Sequence, residues 1–342
     1  MKTVYSDDHH LHDYGQELSY GAFVPAHEMP RRADTVIARV RETGLGEVLA
    51  PERHGLEPIL RVHDSGLVEF LSTAWEEWQK VAPGTQPLPM SWPVRTMRLK
   101  EPRSITGRLA YYALDACTPI TATSWKAATT AVDVALTGAA LVKKGERAVF
   151  ALCRPPGHHA TRENYGGYCL LNNAAIAAQW LRDRGADRVA ILDVDYHHGN
   201  GTQAIFYDRA DVMFVSLHGD PAVEYPYFLG YADETGRGDG EGFNRNYPLP
   251  HGTDWGGYGE ALSDAVAHLK VFSPDVLVVS LGVDTFEKDP ISKFKLTHDD
   301  YLRIGRAIAG IGVPTLFVME GGYAVDEIGV NAVNVLQGFE QA

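Results

Sequence analysis

Apolar residues gather in short continuous runs at 148–153, 189–195, 212–217, 276–283 and 315–319. The stretches 125–144, 172–184, 258–271 and 299–310 instead carry helical periodicity, the second opening on Asn172 and stopping before Gly185. Continuous strands alternating with helices predict a parallel sheet covered on both faces, hence an α/β fold. The first third of the chain is less regular. It offers a short strand at 2–5 and helices at 33–43 and 66–81, the latter with Leu67, Phe70, Leu71 and Trp75 on one face. Residues 83–102 break the pattern with Pro83, Pro87, Pro89, Pro93 and Pro102 and show no apolar stripe. A loop of that length suits a functional rim, an interface or a mobile segment. Met90, Trp92 and Met97 in it could pack on a partner or on the parent domain. No repeat, low-complexity tract or domain boundary interrupts 1–342, so one domain is expected.

Composition narrows the classes. The chain has 342 residues, 45% hydrophobic and 22% charged, an ordinary globular balance. A net charge of -13 argues against a nucleic-acid partner and suits a cationic substrate, although a solubilising acidic surface explains it equally well. Cys117, Cys153 and Cys169 form neither a disulfide framework nor a Cys-x-x-Cys metal pair. The opening residues lack the apolar core of a signal peptide, and no run is long enough to span a membrane. The expectation is a cytoplasmic protein without membrane association.

The chemistry gathers where strands end. Arg154-Pro155-Pro156-Gly157-His158-His159, then 193–198, His218-Gly219-Asp220, Asp284 and Glu320-Gly321-Gly322-Tyr323 each follow an apolar run. Ligands of α/β sheets bind beyond the carboxyl ends of the strands, so these segments are expected to converge. Alternation along an extended chain sends Asp193, Asp195 and His197 to one side. With Asp284 as a further anionic ligand, Asp195 and His197 make a zinc site that keeps an open coordination position. His158 and His159 follow a rigid turn and could take a proton from water and return it to a leaving amine. A solvated histidine pair is the bland alternative. Tyr323 could donate to a developing oxyanion or merely pack its glycine turn. Gly167 and Tyr168, with Tyr225 or Phe228, could wall a narrow slot, or these aromatics could be packing residues.

These segments, together with Gly167-Tyr168-Cys169-Leu170-Leu171-Asn172-Asn173-Ala174 and Ser216-Leu217-His218, resemble the zinc-dependent histone deacetylase superfamily over nearly the whole chain. The stretches 281–292, 218–221 and 228–232 look most like its bacterial acetylpolyamine amidohydrolases. The resemblance implies the arginase–deacetylase fold, an eight-stranded parallel sheet sandwiched between helices. It implies one zinc per subunit on Asp195, His197 and Asp284, His158 and His159 as the tandem histidines, and Tyr323 as carbonyl-polarising donor. It further implies a monovalent cation, potassium, near Asp193, Asp195, His197, Ser216 and Leu217, and a homodimer using an insertion that corresponds to 83–102. Two acids associated with polyamine recognition are replaced here by Thr106 and Cys117, with Asp115 close by as a substitute contact. Asn200 stands where some members carry Asp, which alters the partner of one tandem histidine.

The expected reaction is hydrolysis of the acetyl amide of acetylated polyamines or short diamines, of the acetylputrescine and acetylcadaverine class. An acetyl-lysine peptide deacetylase with the same zinc chemistry is the alternative. A binuclear manganese ureohydrolase would need a carboxylate where this chain has Phe286. A catalytically silent acyl-amine-binding module would lack a ligand, a tandem histidine or Tyr323, and all are present.

Overall fold

The apolar runs become strands of a single sheet in a computed structural model, which describes residues 1–94, 96 and 98–342. The strands are β1 (Lys2–Val4), β2 (Gln16–Ser19), β3 (Ala22–Pro25), β4 (Val48–Leu49), β5 (Ala148–Ala151), β6 (Val189–Asp193), β7 (Val212–Gly219), β8 (Asn244–Leu249), β9 (Val276–Leu281) and β10 (Thr315–Met319). Eight of them form one sheet in the order β4-β1-β5-β10-β9-β6-β7-β8, and every pairing in it is parallel. Strands β2 and β3 make a separate antiparallel hairpin.

The helices are α1 (Arg31–Glu42), α2 (Glu57–Leu60), α3 (Ser65–Val81), α4 (Ile105–Tyr112), α5 (Ser124–Lys143), α6 (Asn173–Arg182), α7 (Asn200–Phe206), α8 (Trp255–Phe272), α9 (His298–Ala309) and α10 (Ile328–Glu340). Strands β5, β6, β7, β9 and β10 are buried at every position, as continuous apolar runs require. Their alternate residues feed two cores. Val149 and Ile191 pack with α3, α5 and α6, whereas Phe150 and Leu192 pack with α1, α8, α9 and α10. The fold is therefore the helix-covered parallel sheet expected from the pattern.

Local chemistry sets the helix ends. Asn172 caps α6 by accepting from the Ala175 amide at 2.9 Å, and Thr297 with Asp300 forms a capping box on α9. The pattern misses the sheet edges, because β4 is only half-buried and β8 mixes polar with apolar positions. It also misses α4, α7 and α10, although α10 buries Val333, Val335, Leu336 and Phe339. Strand β6 stops at Asp193, two residues earlier than the apolar run suggests.

The described part of 83–102 contains neither helix nor strand. Trp92 Nε1 donates to the Ala113 carbonyl at 3.3 Å, and Gln86 Nε2 donates to the Tyr14 carbonyl at 3.0 Å. Met90, Trp92, Val94 and Leu99 are exposed; Met97 lies outside the described residues. Among the described residues no helix is long and apolar enough to cross a membrane.

Candidate metal and catalytic centre

Strands β5, β10, β9 and β6 are consecutive neighbours in the sheet, so the loops leaving their carboxyl ends meet in one place. Asp195 and His197 come from the loop after β6, and Asp284 from the loop after β9. His197 Nδ1 lies 2.9 Å from Asp284 Oδ2 and 3.5 Å from Asp195 Oδ1, all three side chains being buried. Backbone amides hold the acids in place. Tyr196 donates to Asp284 Oδ1 at 2.7 Å, and Gly321 donates to Asp195 Oδ2 at 2.8 Å. A Cβ on Gly282 or Gly321 would fall 2.0 or 2.5 Å from Asp195 Oδ2, so only glycine leaves the carboxylate its position.

Burial and repulsion from Asp195 push Asp284 up to about 7. Burial would raise Asp195 too, but His158 and His197 hold it well below the usual carboxylate range. For His197 burial opposes the charge, while Asp195 and Asp284 overcome it and lift the imidazole to about 10. The two converging buried acids repel one another and hold the His197 proton between them until a metal cation takes its place. The donor set of two oxygens and one nitrogen fits a divalent zinc with an open position.

Asp193 does not face this group, contrary to the alternation argument. Its Oδ2 meets His158 Nδ1 at 3.0 Å, and its Oδ1 accepts from the Asp195 amide at 3.1 Å. The cause is the end of β6: beyond Asp193 the chain turns, and period-two alternation no longer applies. Ser216 pairs with Asp193 across β6 and β7, beside Leu217, and its hydroxyl lies 2.8 Å from His218 Nδ1.

The tandem histidines have different partners. Asp193 and Asp195 outweigh the burial of His158 and raise it to about 10, which keeps that ring charged. His159 is pushed far down by burial and by its neighbours His158 and His197. Its Nδ1 lies 2.7 Å from Asn200 Oδ1. An amide oxygen only accepts, so Nδ1 carries the proton and Nε2 keeps a lone pair. The two rings are 4.0 Å apart, and the His159 ring is 6.1 Å from that of His197.

His159, His197 and Tyr323 share the wall of a cavity of about 550 Å³ with Gly167, Tyr168 and Tyr225. Gly167 has φ +57°, and a Cβ there would strike His159 Cδ2 at 2.3 Å. Tyr225 meets the His159 ring edge-on at 5.0 Å. The Tyr323 ring lies 5.6 Å from Tyr168 and under the Arg32 guanidinium at 4.7 Å. Burial drives the Tyr323 phenol well above its ordinary value, so it stays a hydrogen-bond donor.

Two expected slot residues stand elsewhere. Phe228 is 67% exposed and lines a neighbouring groove with Trp92 and Leu114. Asp115 is spent on the protein itself: Oδ2 accepts from the Gly167 amide at 2.6 Å and from the Tyr225 hydroxyl at 2.9 Å. It braces the slot rather than lining it. Cys117 does line the cavity, whereas Thr106 and the described residues of 83–102 do not.

Sequence reasoning passed over two sets of residues. Glu17, on the β2–β3 hairpin, lines the cavity and accepts from the Tyr168 hydroxyl at 2.8 Å; Glu224 lines it too and accepts from the Tyr196 hydroxyl at 2.8 Å. Beneath Tyr323, Arg32 donates to the carbonyls of Gly322 and Glu320, each at 2.6 Å. Buried Glu28 bridges Arg32 at 2.9 Å and Arg154 at 2.7 Å. Asp289 accepts from the Tyr323 amide at 2.7 Å. Arg154 and Asp289 belong to segments already singled out; Glu28 and Arg32 stand four residues apart like an ordinary exposed helix pair, and Glu17 and Glu224 are single charges with no local cue.

The histone deacetylase domain matches residues 26–339. Acetylpolyamine amidohydrolase 2 of Pseudomonas aeruginosa is 60% identical over 340 residues, covering 99% of each chain. Acetylpolyamine amidohydrolase of Mycoplana ramosa is 52% identical over 338 residues, again covering 99% of both. Among solved structures, acetylpolyamine aminohydrolase from Burkholderia pseudomallei matches with a TM-score of 0.95 at 40% identity, covering 99% of this chain and 98% of that one.

Proposed function

The chain belongs to the histone deacetylase family and is a deacetylase; from that premise we propose that it hydrolyses small acetylated polyamines or diamines to acetate and the free amine, using zinc held by Asp195, His197 and Asp284. The reading is carried by one observation: His197 of the metal-ligand trio, a neutral His159 with a free Nε2 and Tyr323 line a single cavity, and the buried Asp195 and Asp284 stand directly against His197. The names of the relatives support the polyamine class. So does the presence of Glu17 and Glu224 on the cavity wall, where His27 and His251 pair with them at 2.9 and 3.1 Å.

When bound, zinc supplies Lewis acidity toward the amide carbonyl and water. His159 Nε2 takes a proton from the attacking water and returns it to the nitrogen of the leaving amine. His158, kept charged by Asp193, stabilises negative charge beside it. Tyr323 donates its hydroxyl hydrogen to the oxygen that becomes anionic. Tyr168 and Tyr225 flank the slender chain of the substrate. A monovalent cation beside Asp193, Ser216 and Leu217 would steady the loop that presents His158. The exposed Met90, Trp92, Val94 and Leu99 suit a homodimer contact by 83–102, which would bring that loop to the cavity mouth of one subunit or the other.

Chelation should abolish acetate release from acetylputrescine, and one equivalent of zinc per chain should restore it. Full activity in verified metal-free protein would refute the assignment.

A further inference from the structure

A second group of metal-competent side chains lies outside the catalytic cavity. His9 and His10 sit on a short 3-10 turn, Asp7–Leu11, and Asp34 projects from α1. His9 Nε2 lies 3.3 Å and His10 Nε2 3.0 Å from the same oxygen, Asp34 Oδ1. We propose that His9 Nε2, His10 Nε2 and Asp34 Oδ1 form a peripheral site for a divalent transition ion of the zinc type, separate from the catalytic trio.

Geometry is the first argument. Nitrogen and oxygen ligands about 2.0–2.1 Å from a tetrahedral zinc stand roughly 3.3 Å from one another, and the two nitrogen-to-oxygen distances here are 3.3 and 3.0 Å. All three candidate ligand atoms fall within 4.8 Å of one another. Electrostatics is the second. The two imidazole rings are only 3.9 Å apart, too close for both to be protonated comfortably, whereas one shared cation satisfies both lone pairs and the carboxylate. Burial, then the neighbouring His10 and Arg154, lowers His9 to about 4, so its ring is neutral near pH 7.

Preorganisation is the third. The carbonyls of His9 and His12 are both clamped by the buried Arg154 guanidinium, which fixes the turn. The Tyr5 hydroxyl donates to Asp7 Oδ1 at 2.9 Å and accepts from His9 Nε2 at 3.0 Å, so binding an ion there moves the His9 proton to Nδ1. His10 and Asp34 side chains are about half exposed, at 50% and 44%, so an ion can arrive and keep water in its remaining position. Bound there, it would tie the turn to α1, the helix whose Arg32 supports Tyr323.

The test is equilibrium dialysis of the zinc-loaded enzyme against micromolar free zinc, with metal counted by atomic emission. Changes merely around a metal site cost about 10–100-fold in affinity, so deleting a ligand should cost at least that. Wild type should bind one equivalent more than His10→Ala or Asp34→Asn, while both variants keep wild-type turnover of acetylputrescine. Asp284→Ala should lose the catalytic equivalent and retain the peripheral one, which separates this proposal from the catalytic assignment. Unchanged stoichiometry in both peripheral variants, or no second equivalent in wild type, would overturn it.

Discussion

Replacing Tyr323 by Phe removes one hydroxyl and little else. The side chain is 7% exposed, and its ring keeps the Arg32 guanidinium at 4.7 Å and the Tyr168 ring at 5.6 Å. The Tyr323 amide keeps its bond to Asp289 in the variant, so the melting temperature should hardly move. The donor matters only when negative charge develops on the substrate oxygen. Losing one such donor costs about 10²–10³ in kcat, or roughly 2.7–4 kcal/mol. An interaction made only in the transition state lowers kcat and kcat/KM together and leaves KM nearly unchanged. Steady-state kinetics on acetylputrescine, with zinc content measured on the same samples, reads all of this. A kcat within about threefold of wild type, a loss of only about 0.7 kcal/mol, would mean that Tyr323 packs its glycine turn and does no more.

His159→Ala should cost about 10²–10⁴ in kcat, and more than His158→Ala, because only His159 combines a neutral ring with a free Nε2; equal small losses would assign proton transfer to another group. Asp115→Ala should raise KM and lower the melting temperature, since the Gly167 amide and Tyr225 hydroxyl each lose an acceptor at about 1–3 kcal/mol; wild-type KM and stability would show that the slot needs no brace. Glu28→Ala should cost about 3–5 kcal/mol in urea unfolding by leaving two buried guanidinium groups unpaired. Burial opposes the Glu28 charge, but Arg154 and Arg32 hold its carboxyl below 4.5 in the folded chain. Its contribution is therefore present above that value and lost as pH falls through the folded one, and Glu28→Gln should show a shallower acid decline.

The central strands were legible because a strand buried on both faces needs an unbroken apolar run, and β5, β6, β7, β9 and β10 have one. The edge strands β4 and β8 were not, since partly exposed strands carry mixed residues. Asp195, His197 and Asp284 stood out by following such runs, and parallel pairing then brings their loops together. Asp193 was misdirected because the apolar pattern continues past the last paired residue of β6. Asp115 looked like a substrate contact, but its partners are an amide at 167 and a phenol at 225, beyond the reach of any local pattern. The Arg32–Glu28–Arg154 network escaped for the same reason: in sequence a buried charge resembles a solvated one until the fold brings its partner.

A zinc deacetylase built for slender cationic amines should reveal itself in substrate competition. Purified enzyme reconstituted with one zinc per chain would be offered acetylputrescine, acetylcadaverine, acetylspermidine, acetylspermine and an acetyl-lysine histone-like peptide, with kcat/KM measured for each from acetate release. The acetylated diamines should lead, acetylspermine should trail them, and the peptide should be a poor substrate. A single distal carboxylate contributes only a few tenths to about 1 kcal/mol, so the order among the amines should span less than about tenfold. Faster hydrolysis of the peptide than of any amine would contradict the account.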